Sequence, residues 1–411
     1  MPPYLNQRLD DDHVLAAAPT IVCARGLPGS PMNTGSSAWQ VIASSSVLSL
    51  ALLGDALIYA VLPVHADAFG ISLVWVGILL SANRFVRVFA YGLVAQITTA
   101  VGPRRMCIAA AIGAVVSTAL YGVGNGEVVL LLARALWGIA YAILVLVTLA
   151  YAVEVRAGAG ARVGWSRAIQ RLGPILALLG GAWLTQLMGP RSVFVVLAAI
   201  TLIAIPLAMS LPRDAPVAKR GPRPPALGRP RTIDSLFFLQ GMGVDGVFAL
   251  TITLILAEKH SLAVAVLSGA ALLAMRHVGE AVAAPLFGIL GDRFGAAKVF
   301  AVSVFLTAAG FLGVAAGFTV IGALLMLVFR GALASLGPAT IVQATAENDS
   351  VMEPLARMQA WRDFGAAVGP LMAGAVVGFV SPQTLHGGVA AAMLGALVWW
   401  LAIRDRVQQS D

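Results

Sequence analysis

The sequence is poor in charged residues. Only 11% of its 411 residues are Asp, Glu, Lys or Arg, whereas 59% are hydrophobic. A soluble domain carries roughly 25% charged residues, so this chain cannot cover a water-exposed surface with charge.

The two cysteines, Cys23 and Cys107, exclude a disulfide framework and a zinc site. The five histidines are scattered, and only His277 is predicted inside a helix, so neither a metal nor a cofactor is expected. No G-x-x-x-x-G-K-[ST] loop is present, which excludes ATP hydrolysis by that route. The remaining class is a protein whose surface faces lipid.

Twelve apolar stretches have the length that crosses a bilayer, which is roughly 20 residues. They lie near residues 40–63, 72–96, 105–123, 127–153, 166–188, 191–211, 233–257, 261–291, 297–317, 319–343, 362–380 and 383–403. Eleven membrane-spanning stretches is the alternative count, because charged or turn-forming residues do not sharply mark two or three of the boundaries. The stretches are too long for the alternating segments of a barrel. The predicted fold class is therefore an all-α polytopic membrane protein with twelve transmembrane helices.

The net charge of +8 is distributed unevenly along the chain and does not indicate nucleic-acid binding. Basic residues cluster in the loops after stretches 2, 4, 6 and 8 and before stretch 11. The opposite loops hold little more than Arg191 and Lys259. The positive-inside rule places the basic loops and both termini in the cytoplasm. The expected location is a bacterial inner (plasma) membrane.

An internal repeat relates the two halves of the chain. A shift of 196 residues places Gly92 on Gly288, Arg134 on Arg330, Trp165 on Trp361, and Gly173–Pro174 on Gly369–Pro370. Each half has an even number of helices, so the predicted six-helix repeats are parallel and keep one orientation. A segment rich in proline and arginine predicts the linker between them. The predicted parts are a disordered cytoplasmic tail 1–38, a bundle 39–211, a basic cytoplasmic linker 212–232, a bundle 233–404 and a tail 405–411.

The stretch FGILGDRFGAAK predicts a tight cytoplasmic hairpin between helices 8 and 9. Its residues are Gly288, Leu290, Asp292, Arg293, Gly295 and Lys298. Glycines allow the turn, and Asp292 is expected to face the positive N-terminus of a neighbouring helix. The hairpin resembles the signature loop of the major facilitator superfamily, as do the twelve segments, the repeat and the basic linker, over residues 40–405. In the first half, Gln96 replaces the aspartate and three extra residues precede Gly102.

Two further motifs resemble those of this superfamily. Arg134-x-x-x-Gly138 resembles an arginine motif linked to proton coupling. Its alternative role is a hydrogen-bond hub for backbone carbonyls. The segment RLGPILALLGG, with Gly173 and Pro174, partly resembles the Gly-Pro motif of the drug/proton antiporter branch. The alternative for this motif is plain helix packing. Plain packing is also the alternative for Pro370 and for the two GxxxG pairs made by Gly365, Gly369, Gly374 and Gly378.

Ionisable residues inside the membrane are costly and are therefore candidates for function. In this family helices 1, 4, 7 and 10 line a central cavity, so the resemblance places Asp55, Asp245, Arg134 and Arg330 beside it. We expect Asp55 or Asp245 to take the coupling proton; the alternative is a permanent ion pair with Arg134 or Arg330. Neither a sugar-type polar set nor a peptide-type cationic set is recognisable in the sequence, so the substrate is not predicted.

Charges are inverted between the halves at a second group of positions. Under the same shift Arg84 corresponds to Glu280, and Arg167 corresponds to Asp363. In this family helix 2 packs on helix 11 and helix 5 on helix 8. The resemblance therefore implies cytoplasmic gate pairs that join Arg84 or Arg87 to Asp363, and Arg167 or Arg171 to Glu280. Static pairing within each half is the alternative. If Arg171 and Glu280 form a gate, each single charge reversal, Arg171→Glu or Glu280→Arg, is expected to abolish transport, and the double exchange is expected to restore it.

The expected function is secondary transport: proton-coupled export of a small organic molecule by alternating access, in a monomer. The expected partners are the small-molecule substrate, protons and the lipid bilayer. Proton-coupled uptake of a metabolite, and a non-transporting receptor or assembly factor on the same fold, are the alternatives. An enzyme is not expected, because no His, Asp or Glu cluster marks a membrane edge.

Overall fold

Twelve helical segments make up the computed structural model, which describes residues 34–62, 65–212, 227–346 and 349–408. Their bounds are α1 Thr34–Val61, α2 Leu73–Val101, α3 Pro103–Val123, α4 Glu127–Val153, α5 Ala159–Leu176 with its continuations Ala177–Gly181 and Ala182–Met188, α6 Ser192–Met209, α7 Thr232–Ala257, α8 Leu262–Phe294, α9 Ala296–Ala315, α10 Thr319–Ala344, α11 Met352–Val376 and α12 Pro382–Gln408. We call the end of the bundle where α1 begins and α12 ends the terminal face. The connections α2–α3, α4–α5, α6–α7, α8–α9 and α10–α11 lie at this face.

Ten of these helices are long and apolar enough to cross a membrane, by length and composition. The other two, α5 and α11, are more polar. Their charged side chains are buried inside the protein: Arg167 of α5 and Asp363 of α11 are 5% and 4% exposed. Each of the two helices packs against the opposite half, α5 on α8 and α11 on α2. Their polarity is therefore matched by the partner helix and is not presented to lipid.

Close glycine contacts hold α5 on α1 and α11 on α7. The amide N–H of Gly173 donates to Ser49 Oγ at 2.8 Å, and a Cβ at Gly173 would collide with the Ser49 carbonyl. In the second half, a Cβ at Gly369 would lie 2.8 Å from the Cα of Gly246. The two Gly-Pro motifs thus occupy corresponding packing positions. The second GxxxG pair is different, because added Cβ atoms at Gly374 and Gly378 would meet nothing within 4 Å in the described structure.

The hairpins at the terminal face share one geometry in the two halves. Gly102 separates α2 from α3 with φ of 98°, and Gly295 separates α8 from α9 with φ of 94°. These angles lie in a region that favours glycine. The three extra residues of the first half lie at the end of α2, between Gly92 and Gly102, and the φ of the turn glycine is nearly the same in the two halves.

A π-helical turn, Gly241–Phe248, interrupts α7 and contains Asp245. π-Helical turns are rare and are frequent at functional sites. All eight of its residues are buried. The sequence predicts a continuous helix here, and the extra residue in the turn changes the direction in which Asp245 points.

The predicted tails and linker lie mostly outside the described residues, as residues 1–33, 213–226 and 409–411 do. Two boundaries differ from expectation: α1 begins at Thr34, four residues before the predicted end of the tail at 38, and α12 continues to Gln408. His277 is not the sole helical histidine, since His386 is buried within α12.

Candidate functional site

A cavity of about 660 Å³ lies between the two halves. The α1 residues that line it run from Leu52 to Ala60, near the end of α1 that is remote from the terminal face. The α8 residues that line it, from Leu273 to His277, lie in the first half of that helix. Because α1 and α8 run in opposite directions, both observations place the cavity between the membrane centre and the face opposite the termini.

Arg134 and Asp55 form an ion pair at the first-half side of this cavity. Arg134 Nη1 lies 2.6 Å from Asp55 Oδ1, and the arginine is fully buried. Its Nε also donates to the carbonyl of Leu79 at 3.0 Å, and its Nη2 to the hydroxyl of Tyr59 at 3.1 Å. Arg134 is thus both an ion-pair partner of Asp55 and a donor to a backbone carbonyl.

Asp245 lies on the second-half side among three arginines. The distances from its carboxylate oxygens are 3.0 Å to Arg330, 3.2 Å to Arg362 and 3.7 Å to Arg276. Arg330 also pairs with Glu280 at 2.5 Å, and therefore bridges two buried carboxylates. Arg276 and Arg362 are not among the site residues predicted from the sequence. Both carry the same signal as the other candidates, a charge inside a predicted membrane helix.

Two ion pairs connect the halves along the predicted seams. Arg87 Nε of α2 lies 3.1 Å from Asp363 of α11, which also accepts a hydrogen bond from Tyr91 at 2.8 Å. Arg171 Nε of α5 lies 3.3 Å from Glu280 of α8. Of the predicted alternatives, Arg87 and not Arg84 pairs with Asp363, and Arg171 and not Arg167 pairs with Glu280.

The other two candidate arginines point elsewhere. Arg84 Nη1 donates to the carbonyl of Ala366 on α11 at 2.5 Å, and Arg167 donates to Gln170 of its own helix at 3.2 Å. Arg84 thus contacts α11 without reaching the carboxylate of Asp363.

Pairing within one half is also present, because Glu280 binds Arg330 as well as Arg171. This double contact changes the expected result of a charge exchange. An arginine at position 280 would face the guanidinium of Arg330 at short range. The rescue expected from the sequence is therefore not expected from the structure.

The terminal face is closed by contacts between the halves. Asp292 of α8 accepts hydrogen bonds from the backbone N–H groups of Gly160 and Ala161 at 2.9 and 2.7 Å, at the N-terminal end of α5. This is the helix-terminus position predicted for Asp292. Arg156 donates to the carbonyls of Val342 and Ala346 at 2.7 and 2.6 Å, and also to that of Thr345. These bonds seal the cavity on one side.

The remaining motif residues have other positions. Gly288 packs on the backbone of Gly160, so the hairpin glycine takes part in the closed face. Leu290, Arg293 and Lys298 are exposed. Gly138, which its motif predicts as a proton-coupling candidate, lies against α2, and a Cβ there would lie 2.9 Å from the carbonyl of Asn83. It is a site of close approach between α4 and α2.

Replacing Asp292 by alanine is expected to weaken the closed terminal face. The change removes two charge-assisted hydrogen bonds to the α5 N-terminus, which together contribute on the order of 2 kcal/mol at this partly exposed site. We expect a several-fold faster reaction of a cysteine placed at Met358, which is 1% exposed beneath the cavity, with a membrane-impermeant thiol reagent. Asp349→Ala, at an exposed position in the α10–α11 connection, is the control. Equal reaction rates in both variants would contradict the role of Asp292.

A twelve-helix bundle of two like-oriented halves, with a charged cavity between them, defines a polytopic membrane protein built to hold a solute. The sequence profile of the Major Facilitator Superfamily matches residues 45–257 and 233–411. The chain belongs to this superfamily and is a secondary transporter. The predicted superfamily and fold class are thereby confirmed, and the drug/proton antiporter branch stays a prediction.

Solved structures with the same fold differ strongly in sequence. The human organic anion transporter MFSD10 superposes with a TM-score of 0.71 at 16% identity, over 88% of this chain and 99% of that one. The E. coli fucose:proton symporter FucP gives 0.68 at 14% identity, over 89% and 98%. The proton:xylose symporter XylE gives 0.69 at 13% identity, over 90% and 96%. A search of curated protein sequences finds no significant match.

Proposed function

We propose that this transporter exports a small organic molecule in exchange for protons, by alternating access. One observation carries the proposal: ion pairs in the wall of the cavity join the two halves, and the cavity is sealed at the terminal face. The pairs Arg87–Asp363 and Arg171–Glu280 must break for that face to open. The attraction within a buried ion pair is largely offset by its desolvation cost. These pairs can therefore favour the state that is closed at the terminal face by a small free energy, so that the other state stays accessible. Transport requires two states of nearly equal free energy.

The basic loops indicate which face of the protein lies on the cytoplasmic side of the membrane. Those loops lie at the terminal face, and the positive-inside rule assigns that face to the cytoplasm of a bacterial inner membrane. In this orientation the structure is open to the outside and closed to the cytoplasm. It corresponds to an exporter after release of its solute, ready to accept a proton.

Asp55 is the better candidate for the coupling proton. One guanidinium, that of Arg134, lies within ion-pair distance of Asp55, whereas three surround Asp245. Each cation close to a carboxylate raises the free energy of protonating it. Asp55 and Asp245 both line the cavity, so the number of neighbouring guanidinium groups, and not access to the cavity, separates the two candidates. Protonation would release Arg134 from the pair and change the charge of the cavity wall.

Proton-coupled uptake is the second candidate. Two structural neighbours are named proton symporters, and the third is named an organic anion transporter. These names support proton coupling and a small organic solute, and they leave the direction open. A receptor on the same fold would bind solute without moving it.

Replacing Asp55 by asparagine is expected to abolish solute movement driven by a pH gradient and to preserve solute exchange at equal pH. The reason is that asparagine keeps the shape of the side chain but cannot carry the proton. The measurement uses liposomes with oriented protein and a panel of radiolabelled organic acids, amines and neutral drugs. Asp67→Asn, at an exposed residue outside the cavity, is the control. Movement of solute against the proton flow indicates export and movement with it indicates uptake. Saturable binding with no flux in the wild type would refute both.

A further inference from the structure

The middle of the bundle contains twice as many arginines as carboxylates. The eight arginines are Arg84, Arg87, Arg134, Arg167, Arg171, Arg276, Arg330 and Arg362, and the four carboxylates are Asp55, Asp245, Glu280 and Asp363. The difference, 8 − 4, is an excess of four positive charges. Ionised groups inside a membrane protein are costly unless they are paired or hydrated. A peptide-type cationic set is not recognisable from the sequence alone, whereas in the structure six of these arginines line one cavity.

Two of the six are incompletely neutralised by the protein. Arg84 donates to a backbone carbonyl, that of Ala366, which carries no net charge. Arg276 lies 3.7 Å from Asp245, a longer distance than those from Arg330 and Arg362 to the same carboxylate. The Nε of Arg276 is buried and has no hydrogen-bond partner in the described structure. Both side chains therefore retain charge and donor capacity for a ligand.

These two arginines belong to different halves. Arg84 is on α2 and Arg276 is on α8, and both line the cavity. Their like charges repel, and those of Arg171 and Arg330 add to the repulsion of Arg276. Because this repulsion acts between the halves, it favours the state in which the cavity is wide. A negative charge placed between them would replace repulsion with attraction.

We propose that the solute is an organic anion, with a carboxylate, phosphate or sulfonate group that Arg84 and Arg276 bind from opposite halves. A guanidinium presents a planar pair of N–H donors that matches such groups. The cavity walls also include apolar side chains, among them Leu52, Leu178 and Leu273, which fit the organic part. Neutralisation of the cavity by the anion removes the charge that opposes closure. The inference rests on the proposed transport function for its biological meaning, but it is a statement about binding and is tested without flux.

The test is thermal unfolding of the purified protein in neutral detergent, in a zwitterionic buffer of low ionic strength without chloride. The probes are benzoate and phenyl phosphate, with benzyl alcohol and benzylamine as neutral and cationic analogues of similar size. We expect the two anions to raise the unfolding temperature in a saturable way and the analogues to leave it unchanged. Arg84→Gln and Arg276→Gln should each weaken the apparent affinity for the anions by about tenfold or more, the loss of one charge-assisted bond. Arg404→Gln, near the end of α12 and outside the cavity, should bind like the wild type.

The unfolding temperature of the variants without any probe gives a second, independent test. Without any probe, Arg84→Gln and Arg276→Gln should be as stable as the wild type or more stable, because each removes a repelling charge. Lower stability of both empty variants would show that these arginines are structural and would overturn the proposal. Equal stabilisation by anions and by benzyl alcohol would also overturn it. Anion binding without transport in liposomes would refute the transport function and leave this inference standing, whereas transport of amines without anion binding would do the reverse.

Discussion

Replacing Arg134 by methionine is expected to lower the free energy of unfolding by about 3–5 kcal/mol, the cost of removing one partner of a buried ion pair. Arg134 is 0% exposed and donates to Asp55, Tyr59 and the carbonyl of Leu79. Methionine fills much of the space but leaves the Asp55 carboxylate without its cation. The carboxylate must then be hydrated or protonated inside the bundle.

Two variants separate this cost from a loss of packing. Arg134→Met combined with Asp55→Asn removes both charges and should recover a large part of the lost stability. Arg330→Met is the matched change in the second half and should cost less. Asp245 keeps Arg362 and Arg276 there, and Glu280 keeps Arg171. Unfolding in an SDS titration gives the comparison, and an Arg134→Met protein as stable as the wild type would contradict the account.

Replacing Gly164 by valine is expected to abolish transport by preventing the terminal face from closing. Gly164 of α5 faces the backbone of α8, where a Cβ would collide with the carbonyl of Ala284 and lie 2.7 Å from the Cα of Pro285. Backbone atoms of a packed helix cannot move aside as a flexible side chain can. The two helices must therefore separate, and the contacts of Gly160 with Gly288 and Asp292 separate with them.

The measurement combines transport with access from the terminal face to the buried position Met358 of α11. In a background with Cys23 and Cys107 replaced by alanine, a cysteine at Met358 should be unreactive from the terminal face and become reactive when Gly164→Val is added. Gly180→Val is the matched control, since it lies in the continuation of the same helix and an added Cβ meets nothing within 4 Å in the described structure. Full transport by Gly164→Val would show that the α5–α8 contact is not needed for the cycle.

Much of the architecture follows from the order of the residues. Long apolar stretches in a chain with little charge require membrane helices, because each backbone polar group must be satisfied within its own segment. The 196-residue shift requires two similar halves, and an even number of helices gives them one orientation. The Gly-Pro motifs occupy corresponding packing positions for the same reason. These properties depend on composition, length and period, all of which are local or additive along the chain.

The identity of the charge partners needed the folded chain. Arg84 and Arg87 are one turn apart on α2, and only the rotation of α2 against α11 decides that Arg87 reaches Asp363 while Arg84 is left to the cavity. Asp245, in the π-helical turn of α7, meets three arginines, one each from α8, α10 and α11, and no spacing rule in the sequence connects them to it. The arginines that give the cavity its surplus of positive charge can be counted in the sequence. Only the packing of the helices shows that six of them line one cavity. Partner choice and net local charge are sums over residues distant in the chain, so packing determines them.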